Sequence, residues 1–348
     1  MTTPPPSLAI TGFSPNNGAD STLVTITGTA FSSTSADDSV YFNGKAARIL
    51  SATDSTLTTF VPQLAGTGNL VVKVKANAVI GGIFSYDTSY HLSTVVDGLN
   101  GPFYLAIDTA GILYVSLYGN GTIMRIDTSG STATFANLPA TGLAIDIHNN
   151  LFAAVAQGAE ILLDKISPAG DTTIIGSTIG FDLGLAVDTL DNLYFCNVSQ
   201  NMVEKMTPQG VIDTLATGLF NPTGIGVSLN GTVYVANYSV SAYNNAAGAL
   251  TAISSTGNVS TYSTMRYDGD AGILVDGFND IYVTVYNQGS ETGWIEKIPP
   301  TGAPIILPSA NLNFPCGIVR DKKANLYVVQ QADVPGSAIG SIIKMTPY

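Results

Sequence analysis

At 348 residues the chain exceeds a usual single domain, and its 11% charged residues and 36 glycines argue against long helices and for β structure with many tight turns. A formal charge of -12, with no block of either sign, repels phosphate backbones and anionic lipid and so excludes nucleic acid and membrane surfaces as partners. No apolar run approaches the ~20 residues that span a bilayer, so no transmembrane segment is expected.

Met1 is followed by Thr-Thr-Pro-Pro-Pro, without the charged and apolar regions of an export signal. A mature N-terminus behind a replaced signal and a natural Met1 with another route to the surface both stay open. Apolar and polar residues then alternate in Leu23–Thr27, Val40–Phe42 and Leu70–Lys75, each run bounded by Gly, Asn, Asp or Pro, which predicts short sandwich strands. Between two such runs, Asn43-Gly44 predicts a two-residue type I′ hairpin. The order Ile10-Thr11-Gly12-Phe13-Ser14-Pro15, Val24-Thr25-Ile26-Thr27-Gly28, Val40-Tyr41-Phe42-Asn43-Gly44 and Val61-Pro62 resembles an IPT/TIG immunoglobulin-like domain over residues 1–88. That resemblance implies a presenting or spacer module and no chemistry of its own.

Residues 89–348 carry a repeat. A Gly-containing turn, an apolar run ending mostly in Asp, a polar turn and an aromatic strand recur six times, as in Leu105-Ala106-Ile107-Asp108 with Leu113-Tyr114-Val115. The aromatic positions 114, 152, 194, 234, 282 and 327 are spaced like four-stranded propeller blades. A third strand with a basic or polar residue before an apolar one follows, as in Glu204-Lys205-Met206. The pattern resembles the NHL repeat. It implies an all-β chain: an immunoglobulin-like sandwich and a six-bladed β-propeller, closed by the N-terminal outer strand His91–Val96 because the last copy stops at Tyr348 without a fourth strand. The Asp recurring at 108, 146, 188 and 276 is expected to cap turns.

In six-bladed propellers of this kind a ligand site, when present, lies at the channel mouth. Counting along the repeat, the expected ligand-binding residues there are Tyr104, Tyr118, Asp182, Asn197, Asn237, Tyr238, Asp270, Tyr286 and Gln330, with the long insert Tyr238–Ala249 making blade 4 the largest. Amides and flat aromatic rings suit neutral polyols and peptides. The two histidines fall in the closing strand (His91) and in a turn (His148), which argues against a His-based metal site or a Ser-His-Asp triad. No catalytic residue and no cofactor is assigned, and Cys196 and Cys316 are expected as buried small residues. Calcium, held by Asp182 and Asp270 with Asn197 and Asn237, is the one metal these side chains would suit.

Three readings follow. The favoured one is a secreted or cell-surface, non-enzymatic binding or adhesion protein whose propeller face recognises a glycan or protein. The others are a metal-dependent lactonase- or lyase-like hydrolase, and a self-assembling structural component of a surface layer, filament or virion.

Overall fold

A computed structural model describes residues 6–19, 21–62, 65–87, 89–180, 182–238, 250–263, 271–287, 292–300, 304–307, 312–331 and 339–348, with the side chains of residues 182 and 183 set aside. The chain divides into two compact units, residues 1–91 with 347–348 and residues 92–346. Both are built from strands, and no helix among the described residues is long and apolar enough to cross a membrane.

In the first unit a four-stranded and a five-stranded sheet enclose one core. The period of two in Leu23–Thr29 buries Val24 and Ile26 and leaves Leu23 outside, and Asp38–Phe42 buries Val40 and Phe42 in the same way. Phe42 meets Phe84 edge to face at 4.9 Å, closing the sandwich. Asn43 and Gly44 both have positive φ (48° and 79°) between paired residues Phe42 and Lys45, as a type I′ turn requires. His91 stacks on Tyr348 at 4.1 Å, within this unit.

The second unit is a six-bladed β-propeller. Its blades are four-stranded antiparallel sheets covering residues 102–136, 140–179, 182–216, 222–263 and 273–306, and a sixth in which Tyr90–Asn100 adds the outer strand to Pro315–Arg320, Leu326–Gln330 and Ile339–Pro347. The closing strand thus comes from the start of the module, and Leu99 with Val95 and Val96 enters the core against Val329 and Ile342. Closure gives the sixth blade the same four strands as the others.

Each second strand is buried on both faces because blades stack like slices. In blade 3, Tyr194 and Cys196 face Val233 and Val235 of blade 4, while Leu193 and Phe195 face Phe152 and Ala154 of blade 2. Cys196 and Cys316 are buried, and the Cys316 thiol donates to the Phe103 carbonyl at 2.8 Å.

The recurring Asp closes the turn between first and second strands. Asp188 Oδ1 accepts the backbone N–H groups of Leu190 and Asn192, both at 2.9 Å, and its Oδ2 accepts Asn192 Nδ2 (2.8 Å) and the Tyr194 hydroxyl (3.0 Å). Burial would raise this carboxyl, but the four donors outweigh it and hold the pKa below its ordinary value. Lys205 then lies over the Tyr194 ring at 5.3 Å. Asp321, Asn325, Tyr327 and Lys344 repeat the arrangement in blade 6. In blade 5 the Asn is replaced by Asp280, and the box becomes ionic, with Lys297 on Asp280 at 2.6 Å and Arg320 on Asp276 at 2.9 Å.

Candidate ligand face of the propeller

Alignment of the inner strands places Tyr104 in the column that holds Gly142, Gly184, Gly224, Gly272 and Gly317 in the other five blades. Four of those glycines touch the backbone of the next blade. A Cβ on Gly224 would meet the Ala271 carbonyl, one on Gly272 the Cys316 carbonyl, and one on Gly317 would lie 2.7 Å from the Leu105 nitrogen. The absent side chains let the inner strands draw together around the axis. The single large side chain fills what remains: the Tyr104 hydroxyl donates to the Thr223 carbonyl of blade 4, three blades away, at 3.0 Å. Tyr104 is buried and serves as a strut across the channel, not as a ring offered to a ligand at its mouth. Five glycines and one tyrosine in one column of the repeat are the sequence signal for this strut.

Three expected ligand amides are also committed inside the fold. Asn197 is buried; its Nδ2 donates to the Ile179 carbonyl (2.9 Å) and to Glu204 (3.0 Å), and its Oδ1 accepts from Gln200 N (3.2 Å). Asn237, also buried, donates to Thr251 Oγ1 at 2.7 Å. Gln330 accepts from Asn313 N (2.9 Å) and donates to Ser341 (3.2 Å). In each case an amide at the end of the second strand ties a third-strand polar group to the loop leading into the blade, which corrects the expectation of free amides. Tyr286 is buried and stacked on Phe314 at 3.9 Å, packing loops together.

The remaining expected residues are distributed differently. Tyr118 is exposed, on a 3-10 turn at 118–120 fixed by its N–H on the Gly101 carbonyl (2.9 Å). Tyr238 is half-buried, its N–H on the Asn221 carbonyl at 2.9 Å. The backbone of Asp182 pairs with Asn197, while its side chain, Asp270 and the insert at 239–249 lie outside the described residues. Phe220, which the counting missed, is exposed in the loop before blade 4. Around these rings sit further amides: Asn100 donates to Asn120 at 2.9 Å, and Asn201 accepts from Asn221 N at 2.8 Å. Among the described residues no group of three or more His, Cys, Asp or Glu is placed to hold a metal ion.

Third strands carry a second unexpected feature. Asp164, Glu204 and Glu296 occupy equivalent positions, opposite Ala153, Phe195 and Val283, and all three are buried. Glu204 is bonded by Asn197 and by Thr178 Oγ1 (2.9 Å). In blade 5 the residue matching Asn197 is Val285, and among the described residues neither Glu296 oxygen has a hydrogen-bond partner, nor does Trp294 Nε1 on the same strand. Burial pushes the Glu296 carboxyl up to about 7.

The IPT/TIG domain family matches residues 8–92. No curated protein matches the chain. Among solved structures, a structural genomics protein of unknown function from Bacteroides thetaiotaomicron is similar at 14% identity over 99% of both chains, with a TM-score of 0.58. An auxiliary nutrient binding protein from the same organism is similar at 15% identity over 98% of this chain and 97% of its own, with a TM-score of 0.53. A gluconolactonase from Xanthomonas campestris is similar at 14% identity over 74% of this chain and 90% of its own, with a TM-score of 0.58. At these identities the likeness is one of fold: two modules in series for the first two, the propeller for the third.

Proposed function

We propose that this chain is a non-enzymatic binding or adhesion protein, secreted or displayed at the cell surface, whose propeller holds a neutral glycan or a protein segment on its loop face. The observation that carries the reading is the exposure of the Tyr118 and Phe220 rings on that face, among loops rich in Asn. Such rings cover the apolar C–H faces of sugars or apolar side chains, and amides both donate and accept. With Tyr104 filling the channel, a ligand of this face binds as a surface epitope and does not thread the propeller. The IPT/TIG module supports a presenting role. The auxiliary nutrient binding protein from Bacteroides thetaiotaomicron, similar in fold over 98% of this chain, supports a binding role.

Glycan and peptide arrays probed with the full chain test this, with Tyr118→Ala and Phe220→Ala as variants. The reading expects a ligand whose affinity falls at least ~10-fold in one of them, as loss of an aromatic anchor does. Turnover of a lactone or ester by metal-loaded protein, with no array ligand, would overturn it in favour of a hydrolase.

A further inference from the structure

The opposite face of the propeller carries the turns between first and second strands. In four successive blades the first or second residue after the turn-closing position is a large apolar side chain held in solvent: Ile147 (62% exposed), Leu190 (74%), Leu229 (69%) and Phe278 (72%). Single exposed apolar residues are ordinary, but one in the same turn of each of four successive blades forms an arc. The turns are contiguous around the ring where blades 6, 1 and 2 meet, since Lys322 Nζ donates to the Thr109 carbonyl at 2.8 Å and Thr109 N donates to Asn149 Oδ1 at 3.0 Å. The remaining two blades differ in kind. Blade 1 offers Thr109 and Ala110, and blade 6 offers Lys322 and Lys323, both exposed, two of only 13 basic residues in the chain. Diametrically across from blade 6, blade 3 carries the acidic Asp191, half-buried, in the same turn as Leu190.

We infer that this face is the interface of a face-to-face homodimer in which blade 6 of each copy lies over blade 3 of the other. A two-fold axis lying in the interface reverses blade order, so fixing blade 6 over blade 3 also fixes blade 4 over blade 5 and blade 1 over blade 2. Leu229 then meets Phe278 of the second copy twice, Ile147 covers Ala110, and Lys322 and Lys323 face Asp191 with their stems along Leu190. A pairing that sets blade 6 over itself brings four lysines together. The face is separate from the loop face proposed to bind ligand, so either assignment can fail without the other.

Sedimentation velocity on the full chain across a concentration series tests the inference. A reversible dimer is expected, converted to monomer by Leu190→Ser combined with Leu229→Ser, and weakened at least ~10-fold by Lys322→Glu with Lys323→Glu. Carbodiimide treatment should join Lys322 or Lys323 to Asp191 between copies. Circular dichroism confirms that the variants remain folded, as substitutions at exposed turn tips should. A monomer at every concentration, a dimer indifferent to both sets of changes, or cross-links confined to other segments would each overturn it.

Discussion

Replacing Glu296 by Gln should change how stability depends on pH more than it changes stability at any one pH. The carboxyl is fully buried, neither oxygen has a hydrogen-bond partner among the described residues, and burial raises its pKa to about 7 from 4.5. Below the unfolded value both states hold the proton and the group contributes no pH slope. As pH climbs above 4.5 the unfolded chain releases its proton while the folded one keeps it, so stability falls until the folded carboxyl has ionised too, above 7. At ~1.4 kcal/mol per pKa unit the full loss is about 3 kcal/mol, an upper figure because relaxation and water entry soften buried charge. Gln has nearly the same shape and no titration; its unbonded amide costs about 1–3 kcal/mol at every pH alike. The difference in unfolding free energy between variant and wild type should therefore shift by up to ~3 kcal/mol in favour of Gln between pH 4.5 and 8. Urea unfolding followed by Trp294, the sole tryptophan and two residues away on the same strand, reads this locally. Val285→Asn supplies the amide that Asn197 gives Glu204 and should flatten the wild-type slope by lowering the carboxyl's pKa. Parallel pH profiles for wild type and Glu296→Gln would refute the reasoning.

Other outcomes follow from the same geometry. Tyr104→Phe removes the hydroxyl from the buried Thr223 carbonyl and should cost about 1–2 kcal/mol in urea unfolding, whereas Tyr104→Ala empties the channel and should cost about 3–5. Gly317→Ala drives a Cβ against Tyr104 Cα (2.8 Å) and the Leu105 nitrogen, backbone atoms with nowhere to go, so a loss of about 3 kcal/mol is expected as a lowered thermal midpoint. Deleting residues 89–97 takes most of the outer strand from blade 6, and with it Val95 and Val96 from the core; loss of the propeller's cooperative transition by circular dichroism is the expected result.

How the repeat folds was largely written in the sequence. Period-two alternation, Asn43-Gly44 and the six spaced aromatics each act through neighbours a few residues away, so the pattern of residues is enough to specify strand, turn and blade. Even the turn-closing role of Asp188 is local, since its donors lie within six residues. The candidate site was less legible. Tyr118 stands exposed on its loop, but Tyr104, Asn197, Asn237, Gln330 and Tyr286 are occupied by partners that counting along the chain does not reveal. Tyr104 reaches a carbonyl 119 residues away, and the amides answer to polar groups on a different strand. Whether a polar side chain faces a ligand or a neighbour depends on what the closed ring brings opposite it. Glu296 makes the same point in reverse, because the sequence motif it shares with Glu204 is alike, and only the packing shows that one acid has its amide and the other has a valine. The sequence by itself determined the fold, through local pattern repeated; tertiary closure decided which side chains remain free to act.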